Sequence, residues 1–249
     1  MFGQPALRDT SATLPAGPGG PSWVDAPSVA MPDHLSWQGD LFGLSDPVAD
    51  ASFPALSRRW LDDHCWVDHV PRWLCGAEHV FAELVARVSW AQPPVVMYGR
   101  VLATPRLVAS WCEDDGPPPL PVLEDARALL AQRYHRHFDS IGLNLYRNGS
   151  DSVAWHADRL PGRAERPVVA IVSVGAPRPF LLRPKGGGSS VGYLLGQGVL
   201  LVMGGETQRC WEHTVPKVAA AGPRLSITYR HAGPDPDTIA RHPSAGGRR

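Results

Sequence analysis

Between Ala77 and Val88 the apolar residues Ala77, Val80, Phe81, Leu84, Val85 and Val88 recur every three to four positions, and this period predicts an amphipathic helix. A second helix is expected from Val122 to about Phe138. There Leu123, Ala126, Leu129, Leu130 and Tyr134 share a face, and the Pro-rich run Pro117 to Pro121 breaks the chain ahead of it. Beyond Ser140 the pattern turns to short β-rich runs punctuated by Gly, Pro and Asn. These are Gly142 to Tyr146, Val153 to His156, Val168 to Val174, Phe180 to Arg183, Val199 to Met203 and Leu225 to Tyr229. Helices followed by a succession of short strands imply an α+β protein with a sandwich or barrel core.

Composition bounds this picture. A chain of 249 residues, 43% hydrophobic, can bury one sizeable core. Residues 1–35 are dominated by Pro, Gly, Ala, Ser and Asp with no sustained apolar period, a composition that cannot offset the entropy of ordering, so they are expected to form a disordered acidic leader. Residues 234–249 are expected to be a loose tail, which leaves 36–233 as the domain, with its strand-rich core at about 140–231. The formal net charge is zero, but residues 1–70 hold three Arg against nine Asp, and the rest holds 21 Lys plus Arg against 15 Asp plus Glu. With no global electrostatic footprint, attraction to nucleic acid would have to come from a local basic stripe. No run approaches the roughly 18 apolar residues of a membrane span. The first twenty residues lack the basic and apolar regions of a secretory signal. Cys65, Cys75, Cys112 and Cys210 show no CxxC pairing and fit thiols in a reducing compartment. A cytoplasmic monomer with no protein partner and no membrane contact is the expectation.

The candidate chemistry begins at Asn148-Gly149, a pair that signals a hairpin between the runs on either side. His156 and Asp158 would then stand two apart on one strand, with imidazole and carboxylate on the same face. His213, several strands downstream, offers a third donor. Two His and one carboxylate on one face leave the opposite face of an octahedral ion open, the ligand set of non-haem Fe(II) oxygenases. Because HxD spacing recurs by chance, the last strand matters: alternation puts Arg224, Ser226, Thr228 and Arg230 on one face and Leu225, Ile227 and Tyr229 on the other. That polar face either meets water or lines a cavity in which two guanidiniums clamp a dicarboxylate. Asn144 and Tyr146 form a similar face. Other clusters are weaker. His64, Cys65, His69, Cys75 and His79 lack the paired spacing of a tetrahedral zinc site, and His135 and His137 would face different ways on a helix. Trp155 and Trp211 read as packing residues.

Taken together, Asn144-Leu-Tyr146, His156-Ala-Asp158, Ile171-Val-Ser-Val-Gly-Ala-Pro-Arg178, His213-Thr-Val-Pro216 and Pro223-Arg-Leu-Ser-Ile-Thr-Tyr-Arg230 resemble the AlkB family, in order and in spacing, over roughly Val67 to His231. The family consists of Fe(II)- and 2-oxoglutarate-dependent dioxygenases that dealkylate nucleic-acid bases. The resemblance implies a double-stranded β-helix (jelly roll) with flanking N-terminal helices and a nucleotide-recognition β-ribbon. It implies that His156, Asp158 and His213 hold iron, that Arg230 pairs with the distal carboxylate of 2-oxoglutarate, and that Arg224 lies near the metal end of that cosubstrate. Asn144, Tyr146, Ser226 and Thr228 match positions that contact or flank it.

The implied reaction couples O2 and decarboxylation of 2-oxoglutarate to hydroxylation of an N-alkyl group, as in 1-methyladenine or 3-methylcytosine of DNA or RNA. It releases aldehyde, succinate and CO2 and acts on a base taken out of its stack. The segment Val95 to Trp111 resembles the nucleotide-recognition region, with Tyr98 and Trp111 as stacking candidates, Gly99 between them, and Arg100 and Arg106 as phosphate contacts. Read without the resemblance, the same segment is a β-ribbon with core aromatics and exposed Arg. One departure concerns the acidic residue that many members place two positions after the metal aspartate. Here Arg159 and Leu160 follow Asp158, so Arg159 is either a substrate contact or a rim residue. Two alternatives stay open: a 2-oxoglutarate oxygenase acting on a protein or small molecule, and a non-catalytic nucleic-acid-binding protein.

Overall fold

The computed structural model describes residues 46–97, 100–158 and 166–231. The expected leader and tail, Tyr98, Gly99, Arg159, Leu160 and the side chain of Arg100 lie outside the described residues. In chain order the elements are β1 (Val48–Ala49), β2 (Ser57–Trp60), β3 (Cys65–Val70), β4 (Leu74–Cys75), α1 (Ala77–Arg87), β5 (Pro94–Met97), β6 (Arg100–Ala103) and β7 (Leu107–Cys112). Then come α2 (Pro121–Tyr134), β8 (Ser140–Tyr146), β9 (Val153–His156), β10 (Val169–Gly175), β11 (Arg178–Pro184), β12 (Val191–Leu195), β13 (Val199–Gly205), α3 (Thr207–Cys210), β14 (Trp211–Val215) and β15 (Arg224–Arg230).

Two antiparallel sheets face each other. The larger runs β2-β3-β13-β10-β15-β8-β7 and the smaller β12-β11-β14-β9. This is the expected jelly roll, and β5 and β6 pair as a separate two-stranded ribbon. The layering follows from alternation along the central strands. Ala170, Val172 and Val174 of β10, Leu225, Ile227 and Tyr229 of β15, and Ile141, Leu143 and Leu145 of β8 join one core cluster with the helices. Val169, Ile171, Phe180, Leu182, Leu201 and Met203 form a second core between the sheets. β10 is buried on both faces, which is why its sequence is almost continuously apolar.

α1 is held by Ala77, Val80, Phe81 and Leu84, all buried; each large apolar side chain removed from water contributes about 1.5–3 kcal/mol. α2 starts with Pro121 in its first turn and buries Val122, Leu123, Ala126 and Leu130. It ends earlier than the periodicity suggests, because His135 takes a left-handed backbone at φ 52°. Phe138 leaves the helix axis and packs edge-on against Tyr229, 6.4 Å between ring centroids.

The expected hairpin at Asn148-Gly149 is not one. β8 belongs to the large sheet and β9 to the small one, so this turn is a corner where the chain changes sheets. Tertiary contacts decide it. Arg147 forks onto Asp151 at 2.8 and 2.9 Å, and Val218 N donates to Gly149 O at 2.9 Å. A Cβ at Gly149 would collide with the Val218 carbonyl. The buried Arg178 guanidinium donates to the carbonyls of Asn148 (2.9 Å), Asp151 (2.8 Å) and Pro216 (2.7 Å), fastening the corner to the loop after β14.

Candidate metal centre and cosubstrate pocket

Pairing of β9 with β14 sets His156 directly opposite His213, and the two ring centroids are 4.3 Å apart. Asp158 joins them, with ligand atoms of all three residues within 4.8 Å of one another. Among the described residues this is the one such group; the His64/Cys65/His69/Cys75/His79 set does not gather. The sequence placed Asp158 on the same strand as His156, but β9 ends at His156 and the carboxylate lies just past it.

Each ligand is oriented by a neighbour. His156 Nδ1 lies 2.9 Å from the Ala154 carbonyl, which makes that nitrogen the N–H and leaves Nε2 with a free lone pair. His213 is buried and stacked on Phe180 at 5.1 Å, and burial pushes it down to about 3, so it is neutral, the form in which imidazole binds metal. Asp158 Oδ1 accepts from Arg230 Nη2 at 2.7 Å and Nε at 3.1 Å. Its Oδ2 is buried with no hydrogen-bond partner and lies 3.7 Å from His213 Nε2. Burial alone would raise the Asp158 carboxyl, but the charge of Arg230, with lesser help from His213 and His156, holds it well below the usual carboxylate range.

Beside these groups lies a cavity lined by Arg106, Asn144, Tyr146, Arg224, Ser226, Thr228 and Arg230, with Val153, Ile171, Phe180 and Val215 as apolar walls. The polar face of β15 therefore points inward, and the water-facing alternative is excluded. Arg224 is 1% exposed. It donates to Ser173 Oγ, its guanidinium carbon lies 5.2 Å from the centre of the Tyr146 ring, and its Nε and Nη1 have no partner. Burial brings it down to about 10. Across the cavity Arg230 occupies the Asp158 end, where Gly142 gives it room: a Cβ there would collide with Arg230 Nη1. An unpartnered carboxylate oxygen beside His213 and a buried guanidinium with two unpartnered nitrogens fit a metal ion and an anionic ligand that spans between them.

Two substrate candidates need correction. Trp111 is 2% exposed in the core beneath α2 and donates from Nε1 to Gly116 O at 2.9 Å, because β7 turns that side of its alternation toward the helices, so the ring is not offered to a base. Arg106 faces into the cavity, with Nε donating to Asn144 Oδ1 at 2.8 Å, and not onto an outer phosphate-binding surface. Trp155, under the Arg183 guanidinium at 4.0 Å, and Trp211, donating to Asp62 Oδ2 at 2.7 Å, pack as expected. Sequence reasoning missed Phe180, Ser173 and Gln208, whose side-chain oxygen accepts the Asp158 amide at 2.8 Å. Ser173 alone carried a signal, as the polar interruption in an apolar strand.

Two histidines, one carboxylate and a buried arginine around one cavity of a jelly roll are the donor set that suits Fe(II) and an anionic cosubstrate. The profile of the 2OG-Fe(II) oxygenase superfamily matches residues 109–230. The chain is 34% identical to the bovine (Bos taurus) alpha-ketoglutarate-dependent dioxygenase alkB homolog 3 over 180 residues, which is 64% of this chain and 63% of that protein. It is 33% identical to the human (Homo sapiens) alkB homolog 3 over the same shares. With the Arabidopsis thaliana DNA oxidative demethylase ALKBH2 it shares 32% identity over 60% of each chain. Among solved structures, that of OsALKBH1 superposes with a TM-score of 0.52 at 15% identity, covering 70% of this chain and all of that one, a likeness of fold. Over these residues the chain is similar to the AlkB proteins and to the 2OG-Fe(II) oxygenase superfamily. It spans less than two thirds of the length of the first relatives it matches.

Proposed function

We propose that this protein removes alkyl groups oxidatively from bases of DNA or RNA, using Fe(II), 2-oxoglutarate and O2. The observation that carries the reading is one cavity bounded by the free Asp158 Oδ2 at one end and the unpartnered Arg224 nitrogens at the other. When bound, the iron with its cosubstrate and O2 supplies the oxidant that hydroxylates an N-alkyl carbon. His156, Asp158 and His213 hold the iron. Arg224 takes the distal carboxylate of 2-oxoglutarate, and Arg230, bonded to Asp158, serves the metal end, the reverse of the ends that the resemblance implies. Asn144, Tyr146, Ser226 and Thr228 line the cosubstrate, and Phe180, Ile171, Val153 and Val215 keep bulk water from it. A hydroxylated N-alkyl group is a hemiaminal, which falls apart to aldehyde and unmodified base with no further side chain required. Tyr98, Gly99, Arg100 and Arg159 remain our candidates for the base and its backbone.

The names of the relatives, dioxygenase and DNA oxidative demethylase, support this substrate class. The four cysteines are free thiols, which supports our placing the protein in a reducing compartment, the cytoplasm; among the described residues no helix is long and apolar enough to cross a membrane. Incubation with Fe(II), 2-oxoglutarate, ascorbate and O2 should release formaldehyde from oligonucleotides carrying 1-methyladenine or 3-methylcytosine, with matching succinate. Succinate formation stimulated by a protein or small molecule and by no methylated oligonucleotide would replace the reading with the first alternative. Binding of DNA without any turnover would replace it with the second.

A further inference from the structure

Asp158 lies beyond the last residue of β9, so no strand ladder fixes its main chain. Its amide donates instead to Gln208 Oε1 at 2.8 Å. Gln208 is 6% exposed, and its own side-chain nitrogen is directed at Met203 Sδ, 3.6 Å away, so the oxygen is the end turned toward Asp158. The turn that carries Gln208 is fastened on several sides. Thr207 Oγ1 donates to Gly204 O at 2.6 Å, Glu206 N to His64 O at 3.0 Å, and Lys185 Nζ to Gln208 O at 3.1 Å. On its other side Asp158 has Oδ1 in the Arg230 fork, which leaves Oδ2 alone facing His213.

We propose that Gln208 is a positioning residue for the metal carboxylate: by capturing the Asp158 amide it fixes the aim of Oδ2 before any metal arrives. The inference rests on reading His156, Asp158 and His213 as the iron site. Two tethers, one on the peptide and one on Oδ1, leave little rotation for Asp158 to lose on metal binding. Removing the peptide tether makes metal binding bear that ordering cost and leaves a buried N–H unpaired. The effect falls on metal affinity, because Gln208 reaches the site only through the Asp158 amide.

Mn(II), which substitutes for iron without redox chemistry, is titrated calorimetrically into the metal-free full chain for wild type, Asp158→Ala, Gln208→Met and Gln208→Glu. We expect Asp158→Ala to abolish binding and Gln208→Met to raise the Kd by about 10–100-fold. Gln208→Glu, which keeps the acceptor oxygen, should recover most of the loss. Hydrogen exchange should find the Asp158 amide protected in metal-free wild type and fast in Gln208→Met. A wild-type Kd in Gln208→Met, with Asp158→Ala inactive in binding, overturns the inference, as does an Asp158 amide that stays protected in that variant. Should Gln208→Met melt well below wild type, Gln208→Glu decides: a folded protein that binds Mn(II) as tightly as wild type upholds the inference, and one with the Met variant's loss overturns it. Undiminished binding by Asp158→Ala would instead remove the iron-site reading itself.

Discussion

Substitution Arg224→Met separates what the cavity costs the fold from what it does for the ligand. Arg224 is 1% exposed and burial brings its pKa from 12.5 to about 10, which at about 1.4 kcal/mol per unit corresponds to roughly 3 kcal/mol spent on holding the charge in place. Methionine relieves that cost. It also forfeits the hydrogen bond to Ser173, about 1 kcal/mol, and the guanidinium over the Tyr146 ring, about 1 kcal/mol. The ligand-free variant should therefore be about 1 kcal/mol more stable than wild type, a rise of about 2–4 °C in Tm for a chain of this size. The cosubstrate tells the opposite story. Losing charge-assisted bonds to a buried carboxylate costs about 3 kcal/mol, roughly a hundredfold in Kd. At 2-oxoglutarate near 100 times the wild-type Kd, with Mn(II) present, wild type should gain about 2.7 kcal/mol and the variant only about 0.4 kcal/mol. Thermal unfolding followed by tryptophan fluorescence, with and without 2-oxoglutarate, reads both numbers. A variant that melts several degrees below wild type yet gains the same increment from 2-oxoglutarate would refute the reasoning, since Arg224 would then be a structural residue away from the ligand.

Three further outcomes are expected. Gly142→Ala, whose Cβ collides with Arg230 Nη1, should dislodge Arg230 from Asp158 and weaken Mn(II) binding at a stability cost of about 1–3 kcal/mol; unchanged affinity would show that the arginine moves freely. Trp111→Ala should lose about 3–5 kcal/mol of stability in urea, whereas Trp111→Phe should keep the KM for a methylated oligonucleotide, and a raised KM there would restore the stacking role. His69 is held below its ordinary value of 6.5 by burial, so the unfolded chain takes up the proton first as pH falls. Its contribution to stability is complete above about pH 6.5 and is lost on acidification toward the folded value. His69→Phe, beside Tyr193, should lower the urea midpoint less than wild type does between pH 7.5 and pH 5; equal losses would assign the acid sensitivity elsewhere.

The candidate metal triad was legible only in part: two imidazoles and a carboxylate suggested it, but HxD spacing recurs by chance, and the family resemblance was needed to single out these three. The inward face of β15 was legible only with family resemblance, because alternation marks which residues share a side and not what that side meets. Phe180 and Gln208 escaped notice since each acts through a contact between elements far apart in the chain: stacking on His213 in one case, capture of the Asp158 amide in the other. Asn148-Gly149 misled for a related reason. Local turn preference is worth about 1 kcal/mol, less than the buried Arg178 fastening and the Arg147–Asp151 pair that make the segment a corner between sheets.

Periodicity alone therefore marked the two longer helices, most of the central strands and the α+β class, since these depend on spacing along the chain; the three candidate metal donors needed the resemblance as well. That the polar face of β15 lines a cavity, that Trp111 is core, that Arg106 turns inward and that one Asp158 oxygen stays free were decided only in three dimensions. Each depends on which surface a strand face meets and on how a buried charge is partnered, and both are settled by residues distant in sequence.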